Sequence, residues 1–105
     1  VAKAALNTYV KVVSRPFGKE GIRINSIAPG NIIFSGSVWE EKIKSNPNQV
    51  KNMLSEDVPL SKLGRPDDIA TMVCYLASNV SGFITGSVFK VDGGQLYSWK
   101  NYEKK

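Results

Sequence analysis

The chain contains no histidine and a single cysteine in 105 residues. Without an imidazole there is no Ser-His-Asp triad, no Cys-His nucleophile pair and no histidine metal ligand, and no metal site is expected. Cys74 has no second cysteine to pair with, which excludes a cystine-stapled secreted module. No stretch approaches the roughly 18 apolar residues of a membrane-spanning helix, so no membrane association is expected. Neither a charged n-region nor an apolar h-region opens the sequence, so no signal peptide is read and a cytoplasmic location is expected.

What is present fits a globular chain: 42% of residues are hydrophobic and 22% charged. Fourteen Lys+Arg against nine Asp+Glu give a net charge of +5. The basic residues run from Lys3 to Lys105 without forming a stripe, and Lys100, Lys104 and Lys105 lie together in the tail. No aromatic-interleaved basic patch and no zinc-finger or RNA-recognition spacing accompanies them. The charge therefore reads as solvated faces plus a basic tail over 95–105, and nucleic acid is not expected as a partner.

Apolar or small residues at Ala2, Ala5, Leu6, Tyr9, Val10 and Val13 follow the i, i+3, i+4, i+7 rule, so Val1 to about Phe17 reads as a helix. Ala4 and Val12 widen its apolar arc, which predicts cover on two sides. Pro16 lacks an N–H and predicts a kink or early stop near Ser14–Arg15. Residues 22–28 (IRINSIA) alternate before Pro29-Gly30 and read as a strand. Residues 31–63 form a long polar insertion with two short amphipathic patterns, one pairing Trp39 with Ile43 and one grouping Val50, Met53 and Leu54. A connection of this length is commonly a functional lid.

Pro66 at a first helical position, followed by Asp67 and Asp68 at the positive end of the helix dipole, opens the clearest helix. Its stripe is Ile69, Met72, Val73 and Leu76, and it stops near Ala77-Ser78-Asn79. Cys74 in this apolar helix is expected to be a buried or interfacial small residue. Residues 87–91 read as a second strand, closed by an Asp92-Gly93-Gly94 turn. The order helix, strand, insertion, helix, strand is that of βαβ units in an α/β protein. A parallel sheet is normally covered on both faces, which two strands cannot achieve alone. The expectation is a chain that starts inside a helix and forms the end of a larger α/β sheet.

Four runs then fall into one order: VAKAAL at 1–6, GIRINSIAPG at 21–30, LGRPDDIATMVCYLAS at 63–78 and FITGSVFKVDGG at 83–94. Together they resemble the C-terminal part of a short-chain dehydrogenase/reductase. The resemblance implies a Rossmann-like, doubly wound parallel sheet of seven strands, with residues 1–94 as its C-terminal portion and the two strands read here as the sixth and seventh. The run GNIIFSGSVWE at 30–40 is similar to members of the 3-oxoacyl-carrier-protein reductase type. The implied activity is hydride transfer between NAD or NADP, with NADP slightly favoured, and a small-molecule carbonyl or secondary alcohol. A homo-oligomer is implied for the intact protein.

The family's Tyr-x-x-x-Lys signature places both side chains on one helical face. Lys3 matches its lysine, whose ammonium would favour the phenolate of the tyrosine and hold the nicotinamide ribose; the tyrosine would lie two residues before Val1. The resemblance likewise assigns cofactor contact to Pro29, Gly30 and the main chain of Ile32, at the carboxyl edge of the sheet. The usual threonine of this loop is replaced by Phe34, leaving Ser35 and Ser37 as alternative hydroxyls. Pro16-Phe17-Gly18 departs from the regular helix that members keep there, in a region commonly used for subunit contact. Trp39, Ile43, Met53 and Leu54 would belong to the substrate lid, with core packing an equal alternative. The family's glycine-rich pyrophosphate turn, its catalytic serine and an asparagine of an earlier helix have no counterpart in these residues. The isolated chain is therefore expected to lack reductase activity and to bind dinucleotide poorly. The alternative reading is a catalytically inactive half-domain remnant with an interaction or structural role.

Overall fold

The computed structural model describes residues 2–95. Elements follow in the order α1 (Ala2–Lys19), β1 (Ser26–Pro29), α2 (Val38–Ser45), α3 (Pro47–Asp57), α4 (Pro66–Ala77), a single 3-10 turn (Asn79–Ser81) and β2 (Val88–Val91). β1 and β2 are hydrogen-bonded neighbours. Ser26 N donates to Ser87 O at 2.9 Å and Gly30 N to Val91 O at 3.0 Å, an equal advance along both strands that marks them as parallel. The described chain divides into two compact units, residues 2–28 with 69–90 and residues 29–68 with 91–95. The tail beyond Gln95, including Tyr97 and Trp99, lies outside the described residues.

In the first unit α1 does not stop at Ser14–Arg15 as the proline predicts; it runs through Pro16 to Lys19. A missing N–H removes one backbone bond, and the turns on either side carry the helix past it. The end is set instead by a Schellman closure, in which Ile22 N reaches Phe17 O and Gly21 N reaches Gly18 O, both at 3.0 Å. Gly21 takes the left-handed conformation that this motif requires, with φ +78°. Val10 and Ser14 are buried on α1, whereas Leu6, Tyr9 and Val12 are exposed. The two-sided cover expected for this helix is thus absent among the described residues.

β1 begins at Ser26, four residues later than the alternating pattern predicts. Residues 22–25 precede the strand, and side chains take part in their hydrogen bonding. Ile24 N donates to Thr85 Oγ1 at 3.1 Å, and Asn25 clips the facing segment by donating to Ile84 O and accepting from Ser87 N, both at 3.1 Å. Arg23 donates to Ser81 Oγ (3.1 Å), Ile84 O (3.3 Å) and Ser78 O (3.0 Å), tying β1's approach to the 3-10 turn. On α4, Leu76 is buried, but Val73 is 48% exposed, which corrects its place in the buried stripe; Cys74 is exposed, which removes the buried alternative for it and leaves the interfacial one untouched. The side that packs is the Ile69–Met72–Leu76 line, one helical row away from Cys74.

In the second unit the insertion is helical. Both amphipathic patterns form helices, α2 and α3, with Asn46 serving as C-cap of the first and N-cap of the second. Asn46 accepts from Gln49 N, and Pro47 takes the first helical position. Val50 and Val58 are the buried hydrophobic residues of this unit, Val58 at 2% exposure. α4 starts as read: Pro66 is its first residue, and Asp68 Oδ2 accepts from Arg65 N at 2.8 Å, the acidic half of a capping box.

Candidate functional site

Within the second unit the segment leaving β1 carries three of the residues assigned by sequence, Pro29, Gly30 and Ile32. Pro29 ends β1 and is exposed. Gly30 donates to Val91 O, and a Cβ at Gly30 would lie 2.7 Å from both Cα and Cβ of Asp92. The missing side chain at Gly30 is therefore demanded by the chain's own packing, because the turn after β2 occupies the space. That turn forms as expected: Gly94 N donates to Asp92 Oδ1 at 3.0 Å and Leu60 N to Gly93 O at 3.1 Å.

Beyond Gly30 the backbone forms a parallel bridge between Ile32 and Gly64. Its two bonds are Gly64 N to Asn31 O (2.9 Å) and Ile33 N to Gly64 O (2.8 Å). A parallel bridge uses the flanking residues of one strand, so the N–H and C=O of Ile32 itself point away from Gly64. Neither group takes part in a backbone hydrogen bond among the described residues. One residue thus offers a donor and an acceptor side by side. That pair is the complement of a primary carboxamide, which carries an acceptor C=O and a donor NH2.

The two hydroxyls considered for the Phe34 position separate clearly. Ser37 is buried, and its Oγ accepts from Phe34 N and from Glu40 N, both at 3.2 Å, as the N-cap of α2. Its oxygen is committed to the fold. Ser35 is exposed in the turn before it, and Phe34 is 54% exposed. Lys3 lies in the first turn of α1, in the first unit, and is exposed.

Of the lid residues, Trp39 and Met53 line one crevice between α2 and α3, together with Lys42, Gln49 and Val50, whereas Ile43 and Leu54 do not line it. Lys42 Nζ sits 4.6 Å from the centroid of the Trp39 ring. Sequence reading missed Lys42; the available signal was its i, i+3 spacing from Trp39 on a helix. It also missed Arg23, because a clamp on residues 55 or more positions away leaves no local pattern. No group of three metal-ligating side chains occurs among the described residues, and no helix there is long and apolar enough to cross a membrane.

Compared with known proteins, residues 1–95 match the family described as enoyl-(acyl carrier protein) reductase. The 3-oxoacyl-(acyl-carrier-protein) reductase FabG of Chlamydia muridarum is 40% identical over 93 residues, covering 89% of this chain and 35% of that protein. Among solved structures, 4-hydroxyisoleucine dehydrogenase complexed with NADH is 39% identical with a TM-score of 0.76, covering 88% of this chain and 36% of the other. L-Sorbose reductase from Gluconobacter frateurii, complexed with NADPH and L-sorbose, is 29% identical with a TM-score of 0.77, covering 90% and 38%. The α/β arrangement with parallel strands is thus part of a Rossmann-type fold, and the chain spans little more than a third of the length of the proteins it matches.

Proposed function

The chain belongs to the short-chain dehydrogenase/reductase family of oxidoreductases, and from that premise we infer that it is the C-terminal portion of an NAD(P)-dependent carbonyl reductase or alcohol dehydrogenase. The observation that carries this reading is that the N–H and C=O of Ile32, beyond β1, make no backbone hydrogen bond among the described residues. A nicotinamide carboxamide fits that pair, whereas an unpaired backbone donor and acceptor serve no purpose in the bridge itself. When bound, the nicotinamide supplies or accepts the hydride at the substrate's carbonyl carbon.

The chain's own residues orient and hold. Ile32 fixes the carboxamide through its main chain, and Pro29-Gly30 brings the backbone to the strand end where ligands of open α/β sheets bind. Lys3 is assigned the ribose hydroxyls and the electrostatic support of a tyrosine that exchanges the substrate's proton. Ser35 takes the polar role that Phe34 cannot fill, since Ser37 is spent on capping α2. A 3-oxoacyl thioester is the favoured substrate, on the likeness of residues 30–40 and of the FabG relative. NAD and NADP both fall within the proposal, with NADP slightly favoured by the family likeness. A homo-oligomeric, cytoplasmic enzyme completes the proposal, and the exposed free thiol of Cys74 accords with a reducing compartment.

The test is cofactor affinity in the intact enzyme, read by nicotinamide fluorescence. Ile32→Pro deletes the donor and is expected to weaken NAD(P)H binding about tenfold, while Ile32→Val, which keeps the main chain intact, leaves it within about twofold. Equal affinities for the two variants would remove the reading. The 105-residue chain by itself is expected to show no saturable micromolar binding of NADH or NADPH.

A further inference from the structure

The two ends of the 31–63 insertion are clasped at one point, and Ile32, the residue assigned the nicotinamide carboxamide, is half of the clasp. Gly64 is the other half. It gives its N–H to Asn31 O at 2.9 Å and takes the N–H of Ile33 on its own carbonyl at 2.8 Å. These bonds grip the residues on either side of Ile32 and so set the direction in which the N–H and C=O of Ile32 point. All of these residues lie in the second unit.

Position 64 is glycine for want of space. Its φ lies outside the left-handed region, so backbone conformation does not call for glycine. A Cβ there would stand 2.6 Å from Ile32 Cδ1, far inside van der Waals contact. On its other sides the same Cβ would already touch Asn31 O (3.6 Å) and Asp68 Oδ2 (3.8 Å). Asp68 Oδ2 is itself held by Arg65 N at 2.8 Å. Gly64 therefore cannot retreat from Ile32 without straining the bridge on one side or the helix cap on the other. A methyl group at this position must displace Ile32.

We propose that Gly64 is a positioning residue for the cofactor. By bonding both neighbours of Ile32 and admitting its side chain against a bare Cα, Gly64 aims the Ile32 N–H and C=O at the carboxamide and so orients the nicotinamide ring. The inference rests on the assignment of the carboxamide to Ile32 and adds the residue that acts through it. It concerns binding geometry only, so no chemical step is added.

The experiment uses the intact enzyme that contains these residues and compares NAD(P) with its 3-acetylpyridine analogue by calorimetric titration. In the analogue a methyl group replaces the carboxamide NH2, so the acceptor remains and the donor is lost. The unsubstituted enzyme is expected to bind NAD(P) at least about threefold tighter than the analogue, the worth of one hydrogen bond. Gly64→Ala should weaken NAD(P) binding about threefold or more and bring that ratio below about 1.5, because a displaced Ile32 no longer reads the NH2. Ile32→Val removes the Cδ1 that the new methyl would meet. Gly64→Ala made in the Ile32→Val background should therefore keep the ratio of Ile32→Val alone. A glycine with a merely structural role would lower the melting temperature and weaken both dinucleotides by the same factor; that unchanged ratio would overturn the proposal and leave the carboxamide assignment standing. A double variant as impaired as Gly64→Ala would overturn it too. Should Gly64→Ala fail to fold, the double variant decides: recovery of both fold and ratio supports the proposal, and loss of either overturns it. Equal binding of the two dinucleotides by the unsubstituted enzyme would remove the carboxamide assignment itself, and this inference with it.

Discussion

The two units are held by different means. In the first, the contacts that close the structure are polar and distant in sequence: Arg23 and Asn25 reach across 55 to 62 positions to Ser78, Ser81, Ile84 and Ser87. In the second, much of the order is local. Ser37 and Asn46 cap α2 and α3 three residues away, and the side chain of Asp92 holds the turn after β2. Large apolar side chains are also distributed unevenly. Leu6, Tyr9, Val12, Phe17, Ile22, Val73, Tyr75, Val80 and Phe83 are exposed in the first unit, which buries Val10 and Leu76, whereas the second unit exposes Phe34, Val38, Ile43 and Leu60 and buries Val50 and Val58. Burying a side chain of this size is worth about 1.5–3 kcal/mol, so the first unit leaves much of its available apolar stabilisation unrealised. It depends the more on its hydrogen bonds.

That difference can be broken or sharpened by substitution. The largest effect is expected at Arg23, because Arg23→Ala removes three hydrogen bonds and leaves Ser78 O and Ile84 O without this partner. A loss of about 2–3 kcal/mol should appear as a lower urea midpoint, and Arg23→Lys should recover only part, since one ammonium cannot reproduce the fork. Faster amide exchange over residues 78–87 with α3 unaffected would sharpen the contrast; equal acceleration in both units would break it. Ser37→Ala should cost about 1 kcal/mol, the usual loss of an N-cap, read as faster exchange at the amides of Phe34 and Glu40. The smallest effect belongs to the exposed apolar face of α1. Leu6→Ser should change the midpoint by less than about 0.5 kcal/mol, and a larger loss would mean that this residue is covered in solution.

Much of the architecture was legible because its signals are local. The apolar spacing of α4, the Pro66 start, the paired patterns of Trp39–Ile43 and Val50–Met53–Leu54, and the Asp92-Gly93-Gly94 turn each depend on residues within a few positions of one another. Pro16 misled for a related reason: a helix breaker is judged by the bond it lacks, whereas the Schellman closure made by Gly21 and Ile22, five and six residues later, decides where α1 ends. β1 starts later than the alternation of Ile22 and Ile24 predicts because Ile22 N closes α1 on Phe17 O and Ile24 N donates to the Thr85 side chain.

The sequence by itself determined the order of elements, the family likeness and the positions Lys3, Pro29, Gly30 and Ile32 as candidates. Tertiary structure alone decided what each position near the site has left to offer. Gly30 owes its lack of a side chain to Asp92, Ser37 spends its hydroxyl on α2, and Ile32 keeps both main-chain groups because Gly64 bonds its neighbours instead. The reason is physical: a hydrogen-bonding group or a pocket of space is available only after the fold has taken its share, and while Ser37 is taken by neighbours three residues away, Ile32 and Gly30 are shaped by partners 32 and 62 residues away.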